Sequence, residues 1–226
     1  MIVQPLIGFA NAVLFTLAAL LPIVNPIGSA PLFLSMTADL PADARRRLAG
    51  IVGRYSFLLL AAAMLIGSHI LKLFGVSLPI VRVGGGLLVA TAGWKQLNAA
   101  DQSVAQSPRV SDAWEREMTR RAFYPLTFPL TVGPGSISVA ITLGARASGV
   151  GWGTSIELAA ELVGVVVTAL SVFLSFRFAS RVIARLGETG AIVILRLSSF
   201  ILLCVGVSIL WSGLVDLIRP LLTAPR

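Results

Sequence analysis

Residues 1–38 contain no Asp, Glu, Lys or Arg, and an uncharged stretch of that length restricts the chain more than any motif in it. A helix of about 20 mostly apolar residues spans the hydrocarbon core of a bilayer. A water-soluble fold would have to hide such a run completely. The rest of the chain offers little polar surface to do so: of 226 residues, 56% are hydrophobic and only 12% charged, about half the charged fraction usual in soluble domains. The solvent for this chain is therefore lipid. A secretory signal would begin with a basic region; residues 1–38 have none, so the stretch is expected to remain as a membrane segment.

Six apolar runs of spanning length are expected, bounded by charge or turn residues. They cover about Leu6–Met36, Ile51–Phe74, Leu78–Leu97, Ala122–Ala145, Ser155–Phe176 and Ala191–Ile218. Between the third and fourth lies a polar stretch, Asn98–Arg121, carrying Asp101, Arg109, Asp112, Glu115, Arg116, Glu117, Arg120 and Arg121. Membrane β-barrels are built from alternating segments of about ten residues, whereas Leu58–Ile66 is apolar on every face, so the spans are helices.

Lys and Arg outnumber Asp and Glu by 18 to 10. In a soluble protein that excess would suggest a nucleic-acid partner. Here the basic residues cluster between apolar runs, as cytoplasmic flanks do, and no nucleic acid is expected. With the amino terminus outside, the inner loops hold Arg45, Arg46, Arg47, Arg54, Lys95, Arg109, Arg116, Arg120, Arg121, Arg177, Arg181 and Arg185, which is twelve of the eighteen. Both termini are thus expected on the outer, periplasmic side.

Two of the apolar runs are interrupted, and they are the first and the fourth. The first contains Pro22-Ile23-Val24-Asn25-Pro26-Ile27-Gly28-Ser29; the fourth contains Pro129-Leu130-Thr131-Val132-Gly133-Pro134-Gly135-Ser136. The third and sixth runs also match, Val81-Arg82-Val83-Gly84-Gly85-Gly86 against Leu195-Arg196-Leu197-Ser198-Ser199-Phe200, and the offset stays near 107 to 114 residues. A unit of three spans enters the membrane from the opposite side when it is repeated, which gives inverted topology. The expected architecture is an all-α polytopic membrane protein of six transmembrane helices. Residues 1–97 form a first three-helix repeat, 98–121 a cytoplasmic linker and 122–226 a second repeat, with the first and fourth helices broken.

Proline removes a backbone donor and clashes with the preceding turn, so both Pro-Gly clusters should unwind their helices and free backbone polar groups. In lipid such groups must be buried in protein or face a hydrated cavity. Interrupted helices at matching places in two repeats therefore point to a substrate site. Half-helix amino termini offer N–H groups to a carboxylate. The candidate binding residues are Asn25, Pro26, Gly28, Ser29, Thr131, Gly133, Pro134, Gly135, Ser136 and Ser138. Ionisable groups inside spans are costly and usually functional; these are Arg82 and Arg196, at equivalent repeat positions, and Glu157 and Glu161, one turn apart. Glu161 is the better candidate for a proton-linked carboxylate, and a pairing of Arg82 with Glu161 is geometrically open; snorkelling of Arg82 to the headgroups is the other reading.

Other residues point away from catalysis. His69 reads as a hydrogen-bonded packing residue and Cys204, inside an apolar run, as a small core residue. One histidine, one cysteine and scattered carboxylates give no metal-ligand spacing. Gly84-Gly85-Gly86 lacks the Lys-Ser or Lys-Thr of a phosphate loop and suits close helix contact instead. No nucleophile is seen with a base, so neither an enzyme nor a cofactor is expected.

The Asn25-Pro26-Ile27-Gly28 segment followed by Pro31-Leu32-Phe33, the Pro129–Ser136 segment with Gly133-Pro134-Gly135, and the Arg82-Val83-Gly84-Gly85-Gly86 run resemble the MarC family of bacterial inner-membrane proteins across essentially the whole chain. That resemblance implies a multi-pass protein of the bacterial inner membrane. Because the family includes proteins described as small neutral amino acid transporters, it also implies secondary transport of glycine- or alanine-sized substrates. Asn25, Pro26, Gly28, Gly133, Pro134 and Gly135 carry over as motif positions. The function expected is alternating-access transport of a small solute between the two broken helices, driven by H⁺ or Na⁺, with membrane lipid as the surrounding partner. The alternatives are a non-transporting scaffold or regulator, a channel, or a lipid-headgroup carrier using Arg82 and Arg196.

Overall fold

A computed structural model describes residues 3–98, 114–146 and 152–223. Among these, every regular element is helical, and the order is α1 (Val3–Val24), α2 (Pro26–Met36), α3 (Ala42–Leu73), α4 (Leu78–Leu97), α5 (Trp114–Arg121), a wide-turned segment Ala122–Thr131, α6 (Pro134–Arg146) and α7 (Trp152–Thr223). The greater part of the expected linker, residues 99–113, lies outside the described residues; its end forms α5.

Among the described residues, four stretches are long and apolar enough to cross a membrane: Ile7–Met36, Ala42–Leu73, Ser155–Arg181 and Ile192–Arg219. The bent pair Met118–Thr131 and Pro134–Arg146 makes a fifth if it counts as one span. The expected third span coincides with α4, whose 20 residues include Arg82, Lys95 and four glycines, and it is not among these stretches. The fifth and sixth expected runs form one continuous α7 interrupted at Gly187, whose φ of 70° and ψ of 176° lie outside helical space. Its two limbs carry Ser155–Arg181 and Ile192–Arg219.

The turn between α3 and α4 uses a second positive φ, at Gly75 (67°). The Val76 N–H donates to the Leu71 carbonyl at 2.9 Å and the Gly75 N–H to the Lys72 carbonyl at 3.1 Å. Such a Schellman-type close satisfies the last carbonyls of a helix and needs a left-handed residue that glycine supplies without strain.

Small residues set the distances between helices. Gly86 and Gly206 bring α4 against the second limb of α7 so closely that a β-carbon on Gly86 would sit 2.8 Å from the Gly206 carbonyl; one on Gly93 would sit 2.9 Å from that of Ser199. Close backbone approach through glycine is the usual means of helix association in lipid, where no hydrophobic drive exists between helices. The first limb meets α1 where Gly164 faces Thr16, meets α3 where Gly53 faces Phe173, and meets α2 through stacked rings of Phe33 and Phe176 at 4.4 Å. Met64 of α3 lies against Gly144 of α6.

Ion pairs tie the two ends of this bundle. At one end Arg121 Nη1 meets Asp39 Oδ2 at 2.8 Å, joining α5 to the α2–α3 turn. At the other, Arg82 Nη1 meets Asp216 Oδ2 at 2.5 Å, joining α4 to the second limb of α7. Two expectations are corrected. Cys204 is exposed, not in the core, and His69 is exposed as well. An apolar run in lipid has an outward face that touches acyl chains, so apolar neighbours in sequence do not imply burial in protein.

Candidate functional site

The first interruption is a single residue. Asn25 adopts the left-handed conformation (φ 47°, ψ 59°) and its side-chain carbonyl accepts the Gly28 N–H at 3.1 Å, capping α2. Asparagine tolerates this conformation better than other side-chain-bearing residues. The backbone ladder runs almost unbroken across it, with the Asn25 N–H on the Leu21 carbonyl at 2.8 Å and the Ser29 N–H on the Asn25 carbonyl at 3.0 Å. Pro26 has no N–H, so the Pro22 carbonyl loses its ordinary donor one turn on. The expected wholesale unwinding is therefore confined here to one residue, and Ile7–Met36 continues as a single span.

The second interruption is much larger. Tyr124 and Phe128 are extended and each precedes a proline through a cis peptide bond. The Thr127 hydroxyl donates to the Ala122 carbonyl at 2.6 Å and the Thr131 hydroxyl to the Leu126 carbonyl at 2.7 Å, while the Val132 N–H reaches the Thr127 carbonyl at 2.7 Å. Each bond spans five residues, so the chain winds wider than an α-helix. It then turns 73° into α6. This geometry comes from a tandem repeat, Tyr124-Pro125-Leu126-Thr127 followed by Phe128-Pro129-Leu130-Thr131. The Pro-Gly pattern alone misses Thr127; the four-residue repeat is the signal that reveals it.

Candidate residues gather into two groups. Pro26, Gly28 and Ser29 are buried beside half-buried Asn25. A β-carbon added to Gly28 would lie 2.6 Å from that of Ser198, on the second limb of α7. At the other break, Gly135 packs on Val89 of α4, and the Ser138 hydroxyl donates to the Val81 carbonyl at 3.2 Å, just over Gly85. The Ser136 hydroxyl donates to the Gly133 carbonyl at 3.0 Å. The protons of Thr131, Ser136 and Ser138 are thus used on backbone carbonyls, and what these hydroxyls have left to offer is acceptor lone pairs. The N–H groups of Gly135 and Ser136 precede the first bond of α6, from the Ile137 N–H to the Gly133 carbonyl at 3.1 Å. Gly133 is half-buried and Pro134 exposed.

The charged candidates do not converge on either group. Arg82 is held by Asp216, so the structure pairs it there and not with Glu161. The partner stands 134 residues away, a separation no local pattern discloses. Arg196 and Glu157 are exposed. Glu161 is 7% exposed and its Oε2 has no hydrogen-bond partner; the buried Thr16 hydroxyl, opposite Gly164 one turn further along α7, has none either. Arg146 and Glu157 are the charged neighbours of Glu161, and the Arg146 guanidinium rests over the Phe15 ring at 4.5 Å.

Compared with known proteins, residues 10–218 match the pattern described as MarC family integral membrane protein. The chain is similar to membrane protein YvbG of Bacillus subtilis, at 32% identity over 91% of this chain and 95% of that one. It is also similar to inner membrane protein MarC of Citrobacter koseri, at 32% identity over 90% and 94%. Inner membrane protein MarC of Escherichia coli O1:K1 shares 29% identity over 90% and 94%. No solved structure matches the chain.

Proposed function

The chain belongs to the MarC family of integral membrane proteins, and from that premise we propose that it is a secondary transporter of the bacterial inner membrane, moving small solutes of the size of neutral amino acids. The reading rests on one observation. Each helix interruption abuts the third helix of the other half of the chain: Gly28 faces Ser198, while Gly135 and Ser138 face α4 at Val89 and Val81. Crossed packing of this kind is what two inverted three-helix repeats produce, and it brings both half-helix amino termini toward the seam between α4 and the second limb of α7.

In this mechanism the solute carboxylate takes the N–H groups at the start of α6, and its ammonium takes carbonyls left without donors by proline, those of Pro22 and Leu130, together with the hydroxyl lone pairs of Thr131 and Ser136. The halves then rock about the seam to expose the solute to each side in turn. Glu161 supplies the coupling charge, since a buried carboxylate with a free oxygen has a strong preference for a bound cation or proton.

Proteoliposomes loaded with purified protein test the reading. Labelled alanine, glycine or serine should accumulate under an imposed H⁺ or Na⁺ gradient. Absence of both accumulation and exchange for all three would end it.

A further inference from the structure

A basic cleft lies where α3 starts beside the first limb of α7. A cavity of about 130 Å³ there is lined by Ala42, Arg45 and Arg46 of α3 and by Arg177, Ser180 and Arg181 of α7. Four arginines line so small a space, and like charges held on one cleft repel unless an anion joins them. The only carboxylate bonded to any of the four, among the described residues, is Asp43, which meets Arg46 at 3.6 Å and is 88% exposed.

The other three arginines are oriented by uncharged partners. Arg45 gives Nε and Nη2 to the Thr37 carbonyl at 3.2 and 3.1 Å, with Nη2 also on the Leu40 carbonyl at 3.1 Å. Its Nη1 has no hydrogen bond within the described residues. Arg177 lies over the Phe173 ring at 5.5 Å and Arg181 over the Phe178 ring at 5.4 Å, contacts that fix a guanidinium without neutralising it. α3 opens on Pro41, which gives no side-chain cap, so the first N–H groups of the helix add to the positive field. A cavity of about 130 Å³ has room for a tetrahedral oxyanion together with water.

The same two helices carry a largely apolar groove of about 490 Å³ on the next turns, walled by Gly50, Gly53 and Phe57 of α3 and Val166, Leu170 and Phe173 of α7, with exposed Arg54 at its edge giving its Nε to the Gly50 carbonyl at 3.3 Å. Gly50 keeps it open: a β-carbon there would find only Phe173 within reach, at 3.8 Å. A basic cleft that leads along one helix pair into an acyl-sized groove matches one molecule in its whole length. We infer that this is a binding site for an anionic phospholipid, its phosphate among Arg45, Arg46, Arg177 and Arg181 and an acyl chain along the α3–α7 groove. The inference is independent of the transport reading. Phe176 also lines the cleft and stacks on Phe33 of α2, so the lipid touches a ring that holds the half-helix following Asn25.

The test is retention of phosphatidylglycerol against phosphatidylcholine after purification from mixed nanodiscs, read by native mass spectrometry of the full chain. Wild type should keep phosphatidylglycerol selectively. The double variant Arg177→Gln/Arg181→Gln and, separately, Gly50→Leu, which fills the groove without changing charge, should each lower retention about tenfold. Arg47→Gln, exposed and outside the cleft, should retain as wild type does, and size-exclusion elution establishes that all variants are folded. Equal loss in Arg47→Gln would reduce the effect to diffuse surface charge and sink the proposal. Loss in the double variant alone, with inorganic phosphate competing, would make the ligand a free oxyanion and overturn the lipid assignment, as would indifference of wild type to headgroup charge.

Discussion

Two glycines only two positions apart at the second break illustrate how much a single residue's surroundings decide. A β-carbon at Gly133 would meet just the Pro129 carbonyl, at 3.3 Å, whereas one at Gly135 would run into Val89 and come within 3.4 Å of the Gly85 carbonyl. Gly135→Ala should therefore destabilise the protein by about 1–3 kcal/mol, the usual cost of overpacking, and Gly133→Ala by less; melting temperatures in detergent give the order. Asn25 invites a similar ranking. Asn25→Ala loses the bond to the Gly28 N–H, about 1 kcal/mol, and adds the steric cost of a left-handed alanine, about 1–2 kcal/mol. Asn25→Gly keeps the backbone conformation free of strain and costs only a few tenths. Both variants lack the capping oxygen, so a glycine variant melting at or below the alanine variant would show that the φ of 47° adds no cost of its own at this break.

Between elements, contact through backbone is less forgiving than contact through side chains. Gly86 and Gly206 face main-chain atoms across the α4–α7 seam, and main chain cannot rotate away as Val89 can. Gly206→Val should consequently separate the two helices and lower the melting temperature more than Gly135→Ala does; the reverse order would mean the seam is looser than its geometry. The seam also marks where sequence reading succeeds and where it stops. Prolines and glycines restrict φ and remove donors locally, so the positions of the interruptions and the close contact at Gly85 and Gly86 were legible; Gly84, which faces open space, was not set apart from them. The size of each bend was not. One break is a single capped residue and the other turns 73°, a difference set by hydroxyl bonds from Thr127 and Thr131 and by the walls of α3 and α4. Nor was the Arg82–Asp216 pair legible, because it depends on α4 and the end of α7 running side by side, a tertiary fact. Cys204 and His69 were misjudged because sequence apolarity does not distinguish a protein-facing from a lipid-facing side.

For the molecule as a whole, the transport reading requires that energy enter at a site distinct from the solute. Glu161 is 7% exposed with one oxygen unpartnered, and it stands on the first limb of α7, one turn before the Gly164 that faces Thr16. Glu161→Gln keeps the shape of the side chain and removes its capacity to carry a charge. If the carboxylate is the coupling group, this variant should insert normally and still exchange labelled alanine for unlabelled alanine across proteoliposomes, because exchange needs only solute binding and rocking. It should fail to accumulate alanine against a gradient when H⁺ or Na⁺ is imposed, since no charge then links the two half-cycles. A packing role gives a different pattern: a melting temperature shifted by the substitution, with exchange and gradient-driven uptake falling together. Accumulation that stays at the wild-type level in Glu161→Gln would move the coupling elsewhere, and the Thr16 hydroxyl opposite Gly164 would lose its place beside it.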